Sequence, residues 1–159
     1  MRLTDFIIKE ATVDDLKATG KEAAIRELVE ALATAGGIKA NQVSSLVKAL
    51  MARERLGTTG IGRGVAVPHT KHSSVKNVVG VLGRSKEGVG FDALDREPVH
   101  IIFLLVSPVH DEGPKMHLKA LEHISRLIRN ETYVRFLGTA KDKEDLLRLV
   151  EEEDQDMSL

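Results

Sequence analysis

"PVHIIFLLVS", Pro98–Ser107, is almost continuously apolar where a half-exposed strand would alternate. A run of this kind and length suits a central β-strand covered on both faces. Two more stretches read as strands, "VAV" at Val65–Val67 and "NVVGVLGRS" at Asn77–Ser85. Between the latter and Pro98 lies "KEGVGFDALDREP", rich in turn residues, with one short paired segment expected around Val89–Phe91. Phe6-Ile7-Ile8 reads as a short strand or an edge segment.

Helical periodicity flanks this strand block. Ile25, Leu28, Val29 and Leu32 predict a helix from Lys21 to Ala33, stopped by Gly36-Gly37. Asn41 is a good N-cap for a second helix reaching Arg55, with Val43, Leu46, Val47, Leu50 and Met51 as its apolar stripe. After the strands, Pro114 suits a first helical position, and His117, Leu118, Leu121, Ile124, Leu127 and Ile128 trace one face. "ETYVRFLGTA" predicts a short helix ended by Gly138, and Lys143–Glu152 another. The core is expected over 4–152, with the acidic residues 153–159 frayed. Helices before and after a strand block imply a sheet with helices on both faces.

The 159 residues suit one domain with a single core. Lys plus Arg number 23 and Asp plus Glu 24, so no basic excess exists to drive general nucleic-acid binding. No run approaches the ~18 apolar residues of a membrane span. The acids of "MRLTDFIIKEATVDD" argue against a signal peptide, so the expectation is a soluble cytoplasmic protein. The absence of cysteine excludes disulfides, thiol catalysis and cysteine zinc sites.

Chemistry concentrates in "TGIGRGVAVPHTKH", Thr59–His72. Gly60, Gly62 and Gly64 permit positive backbone dihedrals and close approach of a ligand to main-chain amides. Pro68 is expected to end the strand and leave His69 in a loop at its exit. The spacing is neither a Walker-type loop nor G-x-G-x-x-G, so nucleotide cradles are unsupported. A neutral imidazole is a nucleophile and a chemically natural phosphoryl acceptor. Donors for phosphoryl oxygens would be the Thr58 and Thr59 hydroxyls, the loop amides, Arg53 and Arg63. From these residues alone, His69 either carries that chemistry or fills a turn, and His117 either supports it or is a core histidine. His69 and His72 form a metal half-site at most, because zinc needs three or four ligands. His100 reads as structural, His110 as part of a loop on the site rim, and His123 as exposed.

The run "RERLGTTGIGRGVAVPHTK", followed by two strands and then "KMHLKAL", resembles the fructose/mannitol-type enzyme IIA domains of the bacterial phosphoenolpyruvate-dependent phosphotransferase system. Nitrogen-regulatory IIA proteins belong to the same family. The resemblance spans about Thr4 to Glu152, and its T-G-I-G-x-G-x-A-V-P-H core is highly specific. It implies a single three-layer α/β domain, a mixed β-sheet of about five strands flanked by helices on both faces. It implies that His69 accepts the phosphoryl group from an HPr-like phosphocarrier and donates it to a IIB component, with no metal or cofactor. His117 would be the supporting histidine and Arg53 would help hold the phosphoryl oxygens, beside the loop Thr58, Thr59, Gly60, Gly62, Gly64 and Thr70. Family members often carry Gly after the active histidine, where Thr70 stands here. The alternative is a regulatory module whose phosphorylation state gates binding to a target protein.

Overall fold

The computed structural model describes residues 1–157, with side chains described through Gln155. β5, Val99–Ser107, is the central strand, as its apolar run predicts, and every residue in it except His100 is buried. β4, Val79–Val89, lies antiparallel to it on one side, from Val79 opposite Val106 to Arg84 opposite Ile101. On the other side two short segments pair with it in parallel. β2, Val65–Ala66, faces Ile101–Ile102, and β3, His69–Lys71, faces Leu105–Ser107. β1, Gly60–Gly62, adds an antiparallel partner to β2, completing a mixed sheet of five strands.

The two faces of β5 seed two cores. Ile102, Leu104 and Val106 pack with α1 (Lys21–Thr34) and α2 (Val43–Arg55), through Ile25, Leu28, Leu32, Leu46 and Leu50. Ile101, Phe103 and Leu105 pack with α3 (Gly113–Ile128), α4 (Glu131–Thr139) and α5 (Lys143–Met157). This is the expected three-layer arrangement, and the covering of both faces is why the strand needs no alternation. The N-terminal segment runs along the outer edge of β4, bridging Ile7 to Gly80, Val13 to Gly83 and Gly20 to Gly90. It satisfies backbone groups that an open edge would expose.

Four local expectations change. Asn41 sits inside a 3₁₀ turn, Ala40–Gln42, and Gln42 is the residue at the N-cap of α2. The strand expected to stop at Ser85 continues to Val89 through a register shift. Pro68 interrupts pairing without ending it, because its carbonyl accepts the Leu105 N–H at 2.9 Å and pairing resumes at His69. The acidic segment expected to fray from 153 is helical through Met157. Asp154 is buried and accepts from the N–H groups of Leu3 and Thr4 at 2.7 and 3.0 Å. Residues 158–159 of that segment lie outside the described residues.

Candidate active site

His69 opens β3 and is half-buried. Its Nδ1 lies 2.6 Å from the Val67 carbonyl oxygen, which can only accept, so Nδ1 carries the proton. Burial, then the positive charge of Arg53, push its pKa below the ordinary histidine value, against the opposing pull of the Val67 bond and of Glu54. The neutral ring therefore presents an unprotonated Nε2, the form in which imidazole attacks an electrophile.

His117 comes from the second turn of α3, and its ring centroid is 5.5 Å from that of His69. It is 6% exposed, and its Nδ1 meets the hydroxyl of buried Ser107 at 2.5 Å. Burial, with His69 and Lys71 adding to it, lowers its pKa to about 4. Near neutral pH both rings are uncharged. Two histidines from separate elements thus converge at the C-terminal end of the central strand, where β3, β5 and α3 meet.

The approach loop is braced by a carboxylate. Glu54, on the last turn of α2, is 6% exposed and accepts from the backbone N–H of Thr59 at 3.1 Å and from its hydroxyl. Lys21 at the start of α1 pairs with the same carboxylate at 2.9 Å and lies over the Phe91 ring, 4.7 Å from its centroid. The Thr58 hydroxyl accepts from the Gly60 N–H at 3.1 Å. Arg53 spans the same turn, donating to the Gly57 carbonyl at 2.9 Å.

Residues 5–153 match the family described as "Phosphoenolpyruvate-dependent sugar phosphotransferase system, EIIA 2". The chain belongs to this EIIA family. It is a phosphoryl-transfer domain of that system. It is 35% identical over 143 residues to a nitrogen regulatory protein of Bradyrhizobium diazoefficiens, covering 89% of this chain and 90% of that one. It is 32% identical over 155 residues to the fructose-specific EIIABC component of Bacillus subtilis, covering 98% of this chain and 24% of that one. The crystal structure of the nitrogen regulatory protein IIA-Ntr from Neisseria meningitidis superposes with a TM-score of 0.81 at 29% identity, covering 93% and 98% of the two chains. No helix among the described residues of this EIIA domain is long and apolar enough to cross a membrane.

Of the residues singled out in the sequence, the EIIA fold brings His69 and His117 together, puts the charge of Arg53 within reach of His69, and ties the Thr59 carbonyl to the Val67 N–H two residues before His69, while the Thr59 hydroxyl turns to Glu54 and the Thr58 hydroxyl to Gly60 and Phe91. Thr70 follows His69 in β3 and its hydroxyl turns to the Lys71 carbonyl at 3.3 Å. Gly60 separates in role from Gly62 and Gly64. Gly60 packs where a Cβ would stand 2.8 Å from that of Ala93. Gly62 and Gly64 form a hairpin turn with Arg63, all three with positive φ (100°, 79° and, for Arg63, 56°). Val65 pairs with Ile101 and His69 with Leu105, so four residues of strand, about 13 Å, separate this turn from His69. Gly62, Gly64 and Arg63 are not beside His69, and Arg63 pairs instead with Glu131 at 3.1 Å. His72 uses both ring nitrogens, with Ser45 Oγ at 2.9 Å and the Ser74 N–H at 3.1 Å, which leaves none for a metal.

His123 is buried, not exposed, because it stands three residues after Ala120 and four before Leu127, inside the buried face of α3. Sequence reading passed over Glu54, Lys21 and Ser107. Glu54 had a signal, since it falls four residues after Leu50 on the apolar stripe of α2, where an acid needs partners. Lys21 had none, its partner being 33 residues away.

Proposed function

We propose that this EIIA domain is a phosphotransferase component whose covalent intermediate forms on Nε2 of His69. The observation that carries this reading is the Nδ1–H bond to the Val67 carbonyl beside the neutral His117. Nε2 attacks the phosphoryl group of an HPr-like phosphocarrier. The N–P bond of the donor histidine breaks as the new one forms, and the donor ring departs with the electron pair. The Nδ1 proton stays against Val67, which supports the positive charge growing on the ring. His117 and Arg53 face the phosphoryl oxygens, where donors are worth most. The second transfer, to a IIB component, reverses the roles; the EIIABC name of the Bacillus subtilis relative supports such a partner. The reaction needs no metal, cofactor or nucleic acid, and we assign it to the cytoplasm.

A second reading is favoured by the likeness to the Bradyrhizobium diazoefficiens nitrogen regulatory protein along 90% of its length. In it, the phosphoryl group adds roughly −1.5 to −2 charge at His69, by analogy with other phosphorylated side chains, and gates binding to a target protein. Incubation with phosphoenolpyruvate, enzyme I and phosphocarrier should add one acid-labile phosphoryl group. Normal labelling of His69→Ala would overturn the assignment. Label that passes to IIB favours transport; label that stays, with binding to a target that differs between the phosphorylated form and His69→Ala, favours regulation.

A further inference from the structure

A continuous chain of contacts leads from the ion pair at the end of α2 to the acceptor. Lys21 Nζ donates to Glu54. Glu54 accepts from both the N–H and the hydroxyl of Thr59. The Thr59 carbonyl accepts from the Val67 N–H at 3.0 Å. The Val67 carbonyl accepts from His69 Nδ1. The loop is tied at two more points, by Arg53 to Gly57 and by Lys21 to the Thr58 hydroxyl at 3.4 Å. A nearly buried carboxylate so close to a phosphoryl acceptor is an odd choice, because its charge opposes an arriving phosphoryl group. Lys21 answers that cost by pairing with it, and its own position is fixed over Phe91.

We propose that Glu54 and Lys21 are positioning residues for phosphoryl transfer. The pair fixes Thr59, Thr59 fixes the Val67 peptide, and the Val67 carbonyl holds the His69 ring with Nε2 presented for attack. Lys21 also cancels the field of Glu54 at the acceptor. A misplacement of about 1 Å in a catalytic group costs on the order of a hundredfold in rate, so loss of this bracing reaches the transfer step. The inference rests on His69 being the acceptor, but its first readout does not.

The charged and titratable groups that act on His69 are Arg53 and Glu54 from α2, with His117 from α3 beside it and Lys71 from β3 acting on His117. The two variants should therefore shift its titration in opposite senses. Nitrogen-15 NMR of the unphosphorylated protein reads both the tautomer and the titration midpoint of His69. Glu54→Gln removes an anion, so the midpoint should fall and the Nδ1–H tautomer should lose population. Lys21→Met leaves the anion unscreened, so the midpoint should rise. Both should slow labelling from the phosphocarrier by about tenfold or more. A tautomer change with opposite midpoint shifts supports the positioning role even if the label is found on another residue, which would count against the acceptor assignment alone. Midpoints that move the same way, or folded variants with an unchanged tautomer and rates within about twofold of the parent, would overturn it. If Glu54→Gln fails to fold, the Lys21→Met midpoint decides: an upward shift supports the proposal and no shift sinks it.

Discussion

His117 carries a consequence that can be measured without any partner protein. Its pKa is about 4 in the folded chain, chiefly through burial. In the unfolded chain it returns to the ordinary value of about 6.5. Between those two values the unfolded state binds a proton that the folded state does not, so stability rises with pH across the window and is level above it. Replacing His117 with Gln should flatten that rise by up to about 1.4 kcal/mol per pH unit, read from urea unfolding midpoints at several pH values. The same variant should retain phosphorylation at His69 but slow it by about a hundredfold, the scale of removing one transition-state donor. Equal labelling rates in parent and variant would remove His117 from the site. The pKa of His69 is also depressed, so labelling should persist below the ordinary histidine pKa and decline only at lower pH. At this scale the sequence disclosed the two histidines that the fold brings together, because "PHT" after a glycine-rich approach and a histidine on α3 are local patterns. Ser107 was hidden, because its bond to His117 exists only once β5 and α3 are packed together.

The glycine-rich stretch is two devices that the sequence merges into one. Gly60 serves close packing of β1 on Ala93, while Gly62 and Gly64 serve the turn of the β1–β2 hairpin. Substitution separates them. Gly64→Ala places a Cβ in ordinary contact with His100 and the Pro98 carbonyl, both at 3.9 Å, but at φ 79°, so it should cost about 1 kcal/mol or slightly more through backbone strain. It should leave His69 labelling unchanged, since the turn lies about four strand residues away. Gly60→Ala meets the Ala93 Cα at 2.9 Å, and overpacking of this kind costs about 1–3 kcal/mol. It should also slow labelling, because the Gly60 N–H holds the Thr58 hydroxyl on the loop that Glu54 ties through Thr59. Thermal unfolding and phosphocarrier labelling of the two variants test both statements, and a labelling defect in Gly64→Ala would restore a phosphate role to the turn. Pro68 shows why the strand boundary here was misread. A proline removes a donor, which local reading takes as a stop, but its carbonyl remains available to Leu105 and the edge continues into His69. The central strand and the five helices were legible because their periodicities are local; the division of labour among the glycines depends on Ala93 and on the register with β5.

Across the whole molecule, the core on the α3 side is closed by a contact that joins distant parts of the chain. Asp154 of α5 caps the 3₁₀ turn Leu3–Asp5 through two backbone N–H groups, one of them on the fully buried Leu3. That turn leads into Phe6 and Ile7, which share the apolar cluster of Leu82, Phe103 and Ile124. The acidic tail looked dispensable in sequence because nothing local distinguishes Asp154 from its charged neighbours; its two partners lie about 150 residues away, at separations of 151 and 150. Asp154→Ala leaves those donors unpaired at a buried position, which should cost about 2–3 kcal/mol. For a domain of this size that corresponds to a fall in Tm of roughly 4–12 °C. Asp154→Asn, which keeps one acceptor oxygen, should recover about half of the loss. Asp154 bonds Leu3 and Thr4 and neither histidine, so the labelling rate at a temperature where Asp154→Ala is folded should equal that of the parent. Hydrogen exchange should locate the loosening: faster exchange confined to residues of the N-terminal segment and its partners on β4 is expected. Unchanged thermal stability in Asp154→Ala would mean that the cap contributes nothing and that the apolar contacts of Phe6 and Ile7 alone hold the segment in place.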